Sequence, residues 1–264
     1  MAYLPIVVLA VLAGACYAQS ANRIVGGQDT TVENYPSIVQ VESRGLIVST
    51  WSHSCGANIL NSLYVLSAAH CFYGPLSSPT YRRIRAGTSY RNTGGVVVNV
   101  QQIHNHPSFS FFTLDGDVSV VRLASPLPLG PTIQQATIIY PNPVIPDNIP
   151  VVHAGWGRLM HEGSLPTVLQ DVTIYTVNRE VCRERYANNP TVPPTITITE
   201  NMICVGLLDV GGKGACQGDS GGPLYWNNVI IGVVSWGDGC ANDTYPGVNA
   251  AVGRYTDWIV SVAV

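Results

Sequence analysis

Lysine is nearly absent from this chain of 264 residues: among its 13 Lys and Arg residues, every one except Lys213 is an arginine. Lysine loses its charge near pH ~10.4, whereas arginine keeps it beyond pH ~12.5. The bias therefore favours an alkaline working environment, with compositional drift as the alternative explanation. Charged residues of both signs amount to 11%, and the formal net charge is −3. Because no run of basic residues occurs, we expect no nucleic acid partner.

Long hydrophobic runs are also lacking beyond the first residues. Residues 1–18 contain a short apolar core that ends in small residues, which is typical of a secretory signal peptide cleaved after Ala18 or after Ala15. The run is shorter than the roughly 20 residues that a membrane-spanning helix needs. We therefore expect a secreted, extracellular protein without a membrane partner.

The cysteine pattern lacks any Cys-x-x-Cys pair, which argues against a structural zinc site. If Cys16 leaves with the signal peptide, an even number of cysteines remains, and in a secreted chain this indicates disulfides. The six are Cys55, Cys71, Cys182, Cys204, Cys216 and Cys240. The sequence alone allows 15 pairings of six cysteines.

Helical periodicity is scarce, and the chain reads as all-β. Short runs rich in β-branched and aromatic residues, separated by turn residues, predict strands at 64–68, 96–100, 118–123, 149–154, 171–177 and 229–236. Helices are expected at 255–264 and, as a short turn, at 179–186. Prolines crowd residues 126–150, which predicts an extended crossing between two halves. Many short strands favour a sandwich or barrels.

Ser220 lies in a glycine-rich segment, with Gly218 before it and Gly221 and Gly222 after it. Glycines allow the sharp backbone turn and close approach that an exposed nucleophile with an oxyanion hole requires. A turn that happens to contain a serine is the alternative. His70, at the end of an apolar run, and Asp117, which opens a buried strand, supply the other two members of a hydrolytic triad.

The order of these residues selects between two classes of hydrolase. In α/β-hydrolases the catalytic histidine follows the serine, but no histidine follows Ser220 in this chain. The order His, Asp, Ser matches the arrangement of chymotrypsin-type enzymes.

On these motifs the chain resembles the chymotrypsin-fold serine proteases, and insect midgut trypsins in particular, from Ile24 to its C-terminus. The motifs are Arg-Ile-Val-Gly-Gly at 23–27, Ser-Ala-Ala-His-Cys at 67–71, Asp-Val-Ser-Val-Val-Arg-Leu at 117–123, Gly-Trp-Gly at 155–157, Gly-Asp-Ser-Gly-Gly-Pro at 218–223 and Ser-Trp-Gly at 235–237. The resemblance implies an all-β fold of two six-stranded antiparallel β-barrels. The first would span about 35–125, the linker about 126–148, the second barrel about 149–252 and a C-terminal helix about 253–264.

The resemblance also implies a role for each site residue. Ser220 would attack the peptide carbonyl, His70 would transfer the proton and Asp117 would orient His70. The backbone N–H groups of Gly218 and Ser220 would form the oxyanion hole. The substrate backbone would pair with Ser235, Trp236 and Gly237 as an added strand.

Activation and disulfides follow from the same resemblance. Cleavage after Arg23 would remove the propeptide, residues 19–23, and free the Ile24 amine to pair with Asp219. The implied disulfides join Cys55 to Cys71, Cys182 to Cys204 and Cys216 to Cys240. Residues 85–100 contain no acidic residue where vertebrate relatives bind calcium, so we expect no structural calcium and no cofactor.

The specificity pocket departs from the trypsin pattern. Trypsins have an aspartate two residues before the cysteine of Cys-Gln-Gly-Asp-Ser, whereas this chain has Gly214, followed by Ala215. With Gly237 and Gly247 as small walls, the pocket would be deep and neutral and would favour a large apolar side chain. Gln217 fits the trypsin pattern, as does Tyr186, so cleavage after Arg or Lys stays an alternative, with Asp238 and Asp243 as candidate acids at the rim.

A digestive enzyme in a gut lumen fits this reading. Its partners would be protein and peptide substrates, an activating trypsin and proteinaceous protease inhibitors, and it would act as a monomer. A non-catalytic serine-protease homologue is the alternative from another class. His53 is either a packing residue or a partner of Asp219, Asn242 opens a glycosylation sequon, and His104-Asn105-His106 is expected in a surface loop rather than at zinc.

Overall fold

The computed structural model describes residues 24–45, 49–75 and 77–264. The predicted signal peptide at 1–18 and the predicted propeptide at 19–23, with Arg23, lie outside the described residues. No helix within the described ranges is long and apolar enough to span a membrane.

The described residues form short strands connected mostly by turns and loops. In chain order the strands are β1 (Gln28–Asp29), β2 (Ile38–Ser43), β3 (Ser52–Asn61), β4 (Tyr64–Ser67), β5 (Arg82–Ala86), β6 (Val96–Asn105), β7 (Ser119–Leu123), β8 (Thr137–Ile138), β9 (Pro150–Gly155), β10 (Gln170–Val177), β11 (Met202–Gly206), β12 (Pro223–Trp226), β13 (Val229–Trp236) and β14 (Gly247–Ala251). Five of the six strand runs predicted from composition coincide with observed strands to within one residue at each end, and β6 continues five residues beyond the predicted end of the sixth.

These strands build two barrels. The first is closed in the order β2-β3-β4-β7-β6-β5, with every neighbouring pair antiparallel. The second runs β10-β11-β14-β13-β12-β9 and closes through the antiparallel pair β9–β10. Outside the second barrel, β1 pairs with β10 and β8 runs parallel to β13. The predicted fold of two six-stranded antiparallel barrels is confirmed.

The described residues include two α-helices. The helix α1 (Arg179–Ala187) begins at Asn178, whose side-chain oxygen accepts from the backbone N–H of Glu180 and of Val181. Such an N-cap satisfies backbone donors that the first turn leaves without partners. The helix α2 (Thr256–Val262) ends the chain. Short 3₁₀ turns occur at Ala69–Phe72, Pro79–Tyr81 and Val252–Arg254.

The interiors of the barrels are filled by branched aliphatic side chains. In β4 and β7 nearly every residue is buried, and Val65, Leu66, Val120 and Val121 are all fully enclosed. Each such side chain stabilises the fold by about 1.5–3 kcal/mol relative to exposure. Charge is buried as well: Glu42, with no exposed surface, pairs with Arg83 and Arg85.

The proline-rich linker holds the two barrels together rather than merely connecting them. The backbone N–H of Ala136 donates to the carbonyl of Ile59 in the first barrel. The backbone N–H of Ile139 donates to the carbonyl of Ile230 in the second. The two barrels are also in direct contact at β3, where the N–H of Gly56 donates to the Ser220 carbonyl at 2.7 Å.

All three disulfides have the pairing that the resemblance implied. Cys55 joins Cys71, Cys182 joins Cys204, and Cys216 joins Cys240, with Cα–Cα separations of 6.3, 6.4 and 5.0 Å. The first fixes the 3₁₀ turn that carries His70 to strand β3. The third ties the segment before Ser220 to the loop after β13.

Candidate active site

Two of the three predicted triad residues, His70 and Asp117, are in direct contact, and Ser220 lies on the facing edge of the second barrel, where its carbonyl accepts from Gly56 of the first barrel. His70 lies in the 3₁₀ turn that follows β4, and Asp117 lies two residues before β7, so both come from the first barrel. Ser220 precedes β12 of the second barrel. Asp117 is 1% exposed, whereas the His70 side chain is 22% exposed, which leaves the imidazole accessible to a substrate.

Asp117 holds His70 by two hydrogen bonds. Its Oδ1 accepts from the His70 backbone N–H at 2.8 Å, and its Oδ2 pairs with Nδ1 of the ring at 2.7 Å. A carboxylate accepts hydrogen bonds, so Nδ1 carries the proton and Nε2 presents its lone pair. The Ser235 hydroxyl donates to the same Oδ2. The imidazole is thereby set in the tautomer that a general base requires.

Two glycines near Ser220 adopt backbone angles that suit glycine, with φ of +102° at Gly218 and +79° at Gly221. A side chain at Gly221 would overlap Ser67 Oγ and the Gly56 carbonyl of the first barrel. The glycine pattern around Ser220 therefore reflects left-handed backbone and close approach between the barrels.

The backbone N–H groups of Gly218 and Ser220 have no protein acceptor among the described residues. The Gln217 carbonyl accepts from the Arg158 N–H at 2.9 Å. In a planar trans peptide the following N–H points the opposite way, so this bond turns the Gly218 N–H away from Arg158. Two free donors beside a serine are the components of an oxyanion hole.

His53 supports the same loop. Neither predicted role, a packing residue or a partner of Asp219, describes this contact in full. The His53 Nε2 donates to the Gly218 carbonyl at 2.8 Å, and its ring meets Trp156 edge-on. Burial lowers the pKa of His53 to about 4, so the ring is neutral at neutral pH. Its contact is with the backbone of Gly218 and not with the Asp219 carboxylate.

Asp219 is almost completely buried, with 1% exposure. Its two oxygens accept from the backbone N–H of Gly157 at 2.7 Å and of Cys216 at 2.9 Å. Burial raises the pKa of Asp219 to about 6. Side chains at Gly157, or at Gly155, would overlap this carboxylate, so the Gly-Trp-Gly motif makes room for it.

The start of the predicted mature chain lies inside the protein. Ile24 has no exposed surface and belongs to the hydrophobic core. The next residue, Val25, forms an antiparallel bridge with Gly214, whose N–H donates to the Val25 carbonyl at 3.1 Å. Burial of Ile24 is thus coupled to the position of the segment that precedes Ser220.

A pocket of about 230 Å³ opens beside Ser220, and we call it the Ser220 pocket. Its sides are the segments 215–217 and 235–239, together with Gly247 and its neighbours. Gly237 and Gly247 lie side by side, since a Cβ at Gly237 would be 3.7 Å from the Gly247 Cα. All the predicted substrate-binding residues line this pocket except Gly214, which instead borders a second chamber of about 20 Å³ behind Ala215.

The two candidate rim acids differ in position. Asp238 lines the Ser220 pocket, but its Oδ2 accepts from Asn189 Nδ2 at 2.9 Å. Asp243 is exposed, its Oδ1 accepts from the Thr244 hydroxyl, and it does not line the Ser220 pocket. Asn242 lines the pocket, and its side-chain oxygen accepts from the N–H of Thr244 and Tyr245.

Two further predictions concerned histidine and metal. His104 and Asn105 are the last two residues of strand β6, and His106, just after the strand, packs against the rings of Tyr255 and Trp258 at 4.9 and 4.8 Å. The expected surface loop is therefore wrong for His104 and Asn105. Within the described ranges, the one cluster of three potential metal ligands is Cys55, His70 and Cys71, and the disulfide occupies both of its sulfurs.

Two polar residues of the Ser220 pocket, His153 and Asn249, were not predicted from the sequence. His153 is 2% exposed and Asn249 is 1% exposed. The available signal was a polar residue at an inward position of an otherwise apolar strand, which is unusual unless that residue has a partner.

Comparisons with known proteins agree with this geometry. The family model described as Trypsin matches residues 24–259. Alkaline trypsin C of Manduca sexta is 42% identical over 259 residues, which cover 97% of this chain and 97% of that protein. Trypsin CFT-1 of Choristoneura fumiferana is 43% identical over 257 residues, covering 97% of each chain. A vitellin-degrading protease of Bombyx mori is 37% identical over 237 residues, covering 90% of this chain and 84% of that protein. This chain therefore belongs to the trypsin family and is a serine endopeptidase.

Proposed function

We propose that this endopeptidase cleaves after large apolar residues rather than after Arg or Lys. The observation that carries the proposal is the lining of the Ser220 pocket. Ala215 and the glycines Gly237 and Gly247 present no charge there, and the one carboxylate in the lining, that of Asp238, is bonded to Asn189. Gly214 occupies the position at which trypsins have an aspartate. A substrate cation buried without a counter-ion is costly, whereas an apolar side chain in the same space is favourable.

The chemistry uses the geometry around Ser220. The Ser220 hydroxyl attacks the peptide carbonyl, and Nε2 of His70 accepts its proton and later donates it to the leaving amine. Asp117 keeps the ring in the required tautomer and stabilises the imidazolium. The free N–H groups of Gly218 and Ser220 stabilise the negative charge on the carbonyl oxygen, and loss of one such donor typically costs about 3–4 kcal/mol.

The proposed activation step involves Ile24 and Asp219. Cleavage after Arg23 would create a positively charged amine at Ile24, which is already a core residue in this fold. Pairing with the Asp219 carboxylate would offset the cost of burying that charge and would fix the segment 216–220. Because a neutral pocket rejects arginine, the enzyme would not cut its own Arg23–Ile24 bond, and a separate trypsin would activate it.

Two alternatives make different predictions. The relatives reported above include proteins named trypsins, which favours cleavage after Arg or Lys. In that case Asp238, whose carboxylate lines the pocket, would be the counter-ion of the substrate cation. A non-catalytic homologue would lack a working triad, whereas here the His70–Asp117 pair is in place at 2.7 Å. The intact pair favours an active enzyme.

We further propose that the enzyme is secreted, digestive and monomeric, and that it meets protein and peptide substrates and proteinaceous inhibitors in a gut lumen. The three disulfides support an oxidising compartment. The alkaline working environment stays a prediction, and a pH–activity profile with its maximum near neutrality would contradict it.

The test is a map of cleavage sites. The proenzyme is cut with trypsin, the new N-terminus at Ile24 is verified, and the trypsin is removed with an immobilised inhibitor. A denatured protein is then digested, and its fragments are identified by mass spectrometry. We expect cuts after Phe, Tyr, Leu and Met, and none with a Ser220→Ala proenzyme treated in the same way. Cuts after Arg and Lys that depend on Ser220 would overturn the pocket assignment.

A further inference from the structure

The Ser220 pocket has a polar inner wall made by two buried side chains. His153 comes from β9 and Asn249 from β14, and both line the pocket although almost none of their surface is exposed. A polar pair at this depth costs free energy unless its hydrogen-bonding groups are satisfied.

The hydrogen bonds of the pair define its protonation. His153 Nε2 lies 3.0 Å from Asn249 Oδ1, and Asn249 Nδ2 faces the Ile203 carbonyl at 3.5 Å. The contact with that carbonyl orients the amide with its oxygen toward the ring. Nε2 is therefore the protonated nitrogen, and Nδ1 carries a lone pair that can accept a hydrogen bond.

Nδ1 of His153 is a buried acceptor with no protein partner among the described residues. Burial lowers the pKa of His153 to about 4, so protonation does not satisfy this nitrogen at neutral or alkaline pH. His153 also lines the 20 Å³ chamber beside Ala215. That volume suffices for one water-sized group, and the chamber adjoins the Ser220 pocket, since the two share His153, Ala215, Ala241, Asn242 and Gly247.

We propose that His153 and Asn249 are specificity-determining residues that select tyrosine over phenylalanine as the residue before the scissile bond. The inference rests on the proposed neutral pocket. A ring fits between glycine-lined walls, and a phenol carries at its tip the donor that Nδ1 lacks. Asn249 contributes by holding His153 in the accepting tautomer. An arginine would also offer donors, but it would bring an uncompensated charge into the same wall.

The experiment uses matched peptides that differ at this one residue: tyrosine, 4-methylphenylalanine, phenylalanine and arginine. Tyrosine and 4-methylphenylalanine are similar in size, but the latter has no donor. For the Ile24-started enzyme we expect kcat/KM for tyrosine to exceed that for 4-methylphenylalanine by about threefold to tenfold, as for one net hydrogen bond. Equal values for these two substrates would overturn the inference without any variant.

The double variant His153→Leu with Asn249→Leu removes both polar partners at similar volume, so neither is left buried alone. We expect its tyrosine to 4-methylphenylalanine ratio to fall to about 1, with phenylalanine still cleaved. Active-site titration with a phosphonate inhibitor counts the folded enzyme and corrects for any loss of fold. A wild-type ratio retained in the double variant would overturn the roles of His153 and Asn249.

The arginine peptide distinguishes a failure of the neutral pocket from a failure of tyrosine selection by His153 and Asn249. If arginine is the best substrate of the wild type, the neutral pocket is wrong and the inference falls with it. If the aromatic peptides are cleaved well and arginine poorly, but tyrosine has no advantage, the neutral pocket stands and the inference about His153 alone is wrong.

Discussion

Ser235 and His70 bind the same carboxylate oxygen, Oδ2 of Asp117, although they come from different barrels. His70 Nδ1 lies 2.7 Å from this oxygen, and the Ser235 hydroxyl donates to it from strand β13. Asp117 and His70 belong to the first barrel, so the second barrel supplies the bond that completes the environment of the carboxylate. Docking of the barrels is therefore part of building the proposed catalytic base, His70.

Substitutions at this carboxylate test its role. Asp117→Asn should lower kcat about 10⁴-fold, as in the trypsin-like triad template, because the amide favours the wrong His70 tautomer. Ser235→Ala removes one bond to a charged group, worth about 1.5–3 kcal/mol, and should lower kcat by roughly tenfold or more. Steady-state kinetics on one peptide measures both. Full activity of Asp117→Asn would contradict the assigned base.

Restoring the trypsin aspartate should convert the specificity. A Cβ at Gly214 would meet the Ala241 Cα at an ordinary 3.4 Å, but the φ of +159° is one that residues with a side chain rarely adopt, so Gly214→Asp carries some backbone strain. Gly214 borders the chamber that adjoins the Ser220 pocket. We expect the longer aspartate side chain to extend from there toward the pocket, to give a substrate cation its counter-ion and to raise kcat/KM for arginine peptides by about 100-fold or more. The matched control is Asp238→Asn, which should leave the wild-type preference unchanged because Asp238 is bonded to Asn189. Loss of an existing arginine activity in Asp238→Asn would contradict the neutral pocket.

In the uncut chain, the contribution of Asp219 to the free energy of unfolding should be most favourable at acid pH. The Ile24 nitrogen is an uncharged amide, and burial raises the pKa of Asp219 to about 6, against ~3.9 in an unfolded chain. A carboxyl with a raised folded pKa contributes stability below pH ~4 that is lost as the pH rises through about 6. Asp219→Asn should therefore gain about 2–3 kcal/mol over the parent between pH 4 and pH 8.

Urea unfolding at the two pH values measures this difference, with both proteins carrying Ser220→Ala to keep the chain uncut. A pH-independent difference would argue against a buried neutral carboxyl in the zymogen. After cleavage the sign should reverse, because the charged Ile24 amine then needs its partner. Loss of one member of a buried ion pair typically costs about 3–5 kcal/mol, so Asp219→Asn should then be nearly inactive.

His53 should act on the transition state rather than on substrate binding. It donates to the Gly218 carbonyl at 2.8 Å, so His53→Leu leaves that buried carbonyl without its partner and loosens the oxyanion hole. We expect kcat to fall by about tenfold with KM little changed. His53→Gln offers an amide donor and should recover part of the loss. A change in KM alone would indicate that His53 does not support the oxyanion hole.

The two barrels, the disulfide pairing and the contact between His70 and Asp117 were predicted through the family resemblance that the short motifs carry, whereas the residues alone left 15 disulfide pairings and a choice between a sandwich and barrels. Ser220, His70 and Asp117 each lie in a short sequence motif that can be recognised without the tertiary structure. Their order in the chain excluded the α/β-hydrolase class. The six strand runs followed from composition, since barrel strands are buried on one or both faces.

The inner wall of the Ser220 pocket was not predictable in the same way. His153 lies in a strand of apolar neighbours, and its alternation indicates an inward side chain but not what that side chain faces. Its partnership with Asn249 depends on the pairing of β9 with β12 and of β13 with β14, which no local pattern records. The placement of Gly214 behind Ala215, rather than in the pocket wall, likewise depends on tertiary structure.

The most direct test of the central claim is the ratio of kcat/KM for two peptides that differ only in having phenylalanine or arginine before the scissile bond, measured on enzyme with a verified Ile24 terminus. The neutral Ser220 pocket predicts that phenylalanine is preferred by at least about 100-fold, because the arginine would be buried without a counter-ion. Preference for arginine would contradict the account and would assign the pocket charge to Asp238.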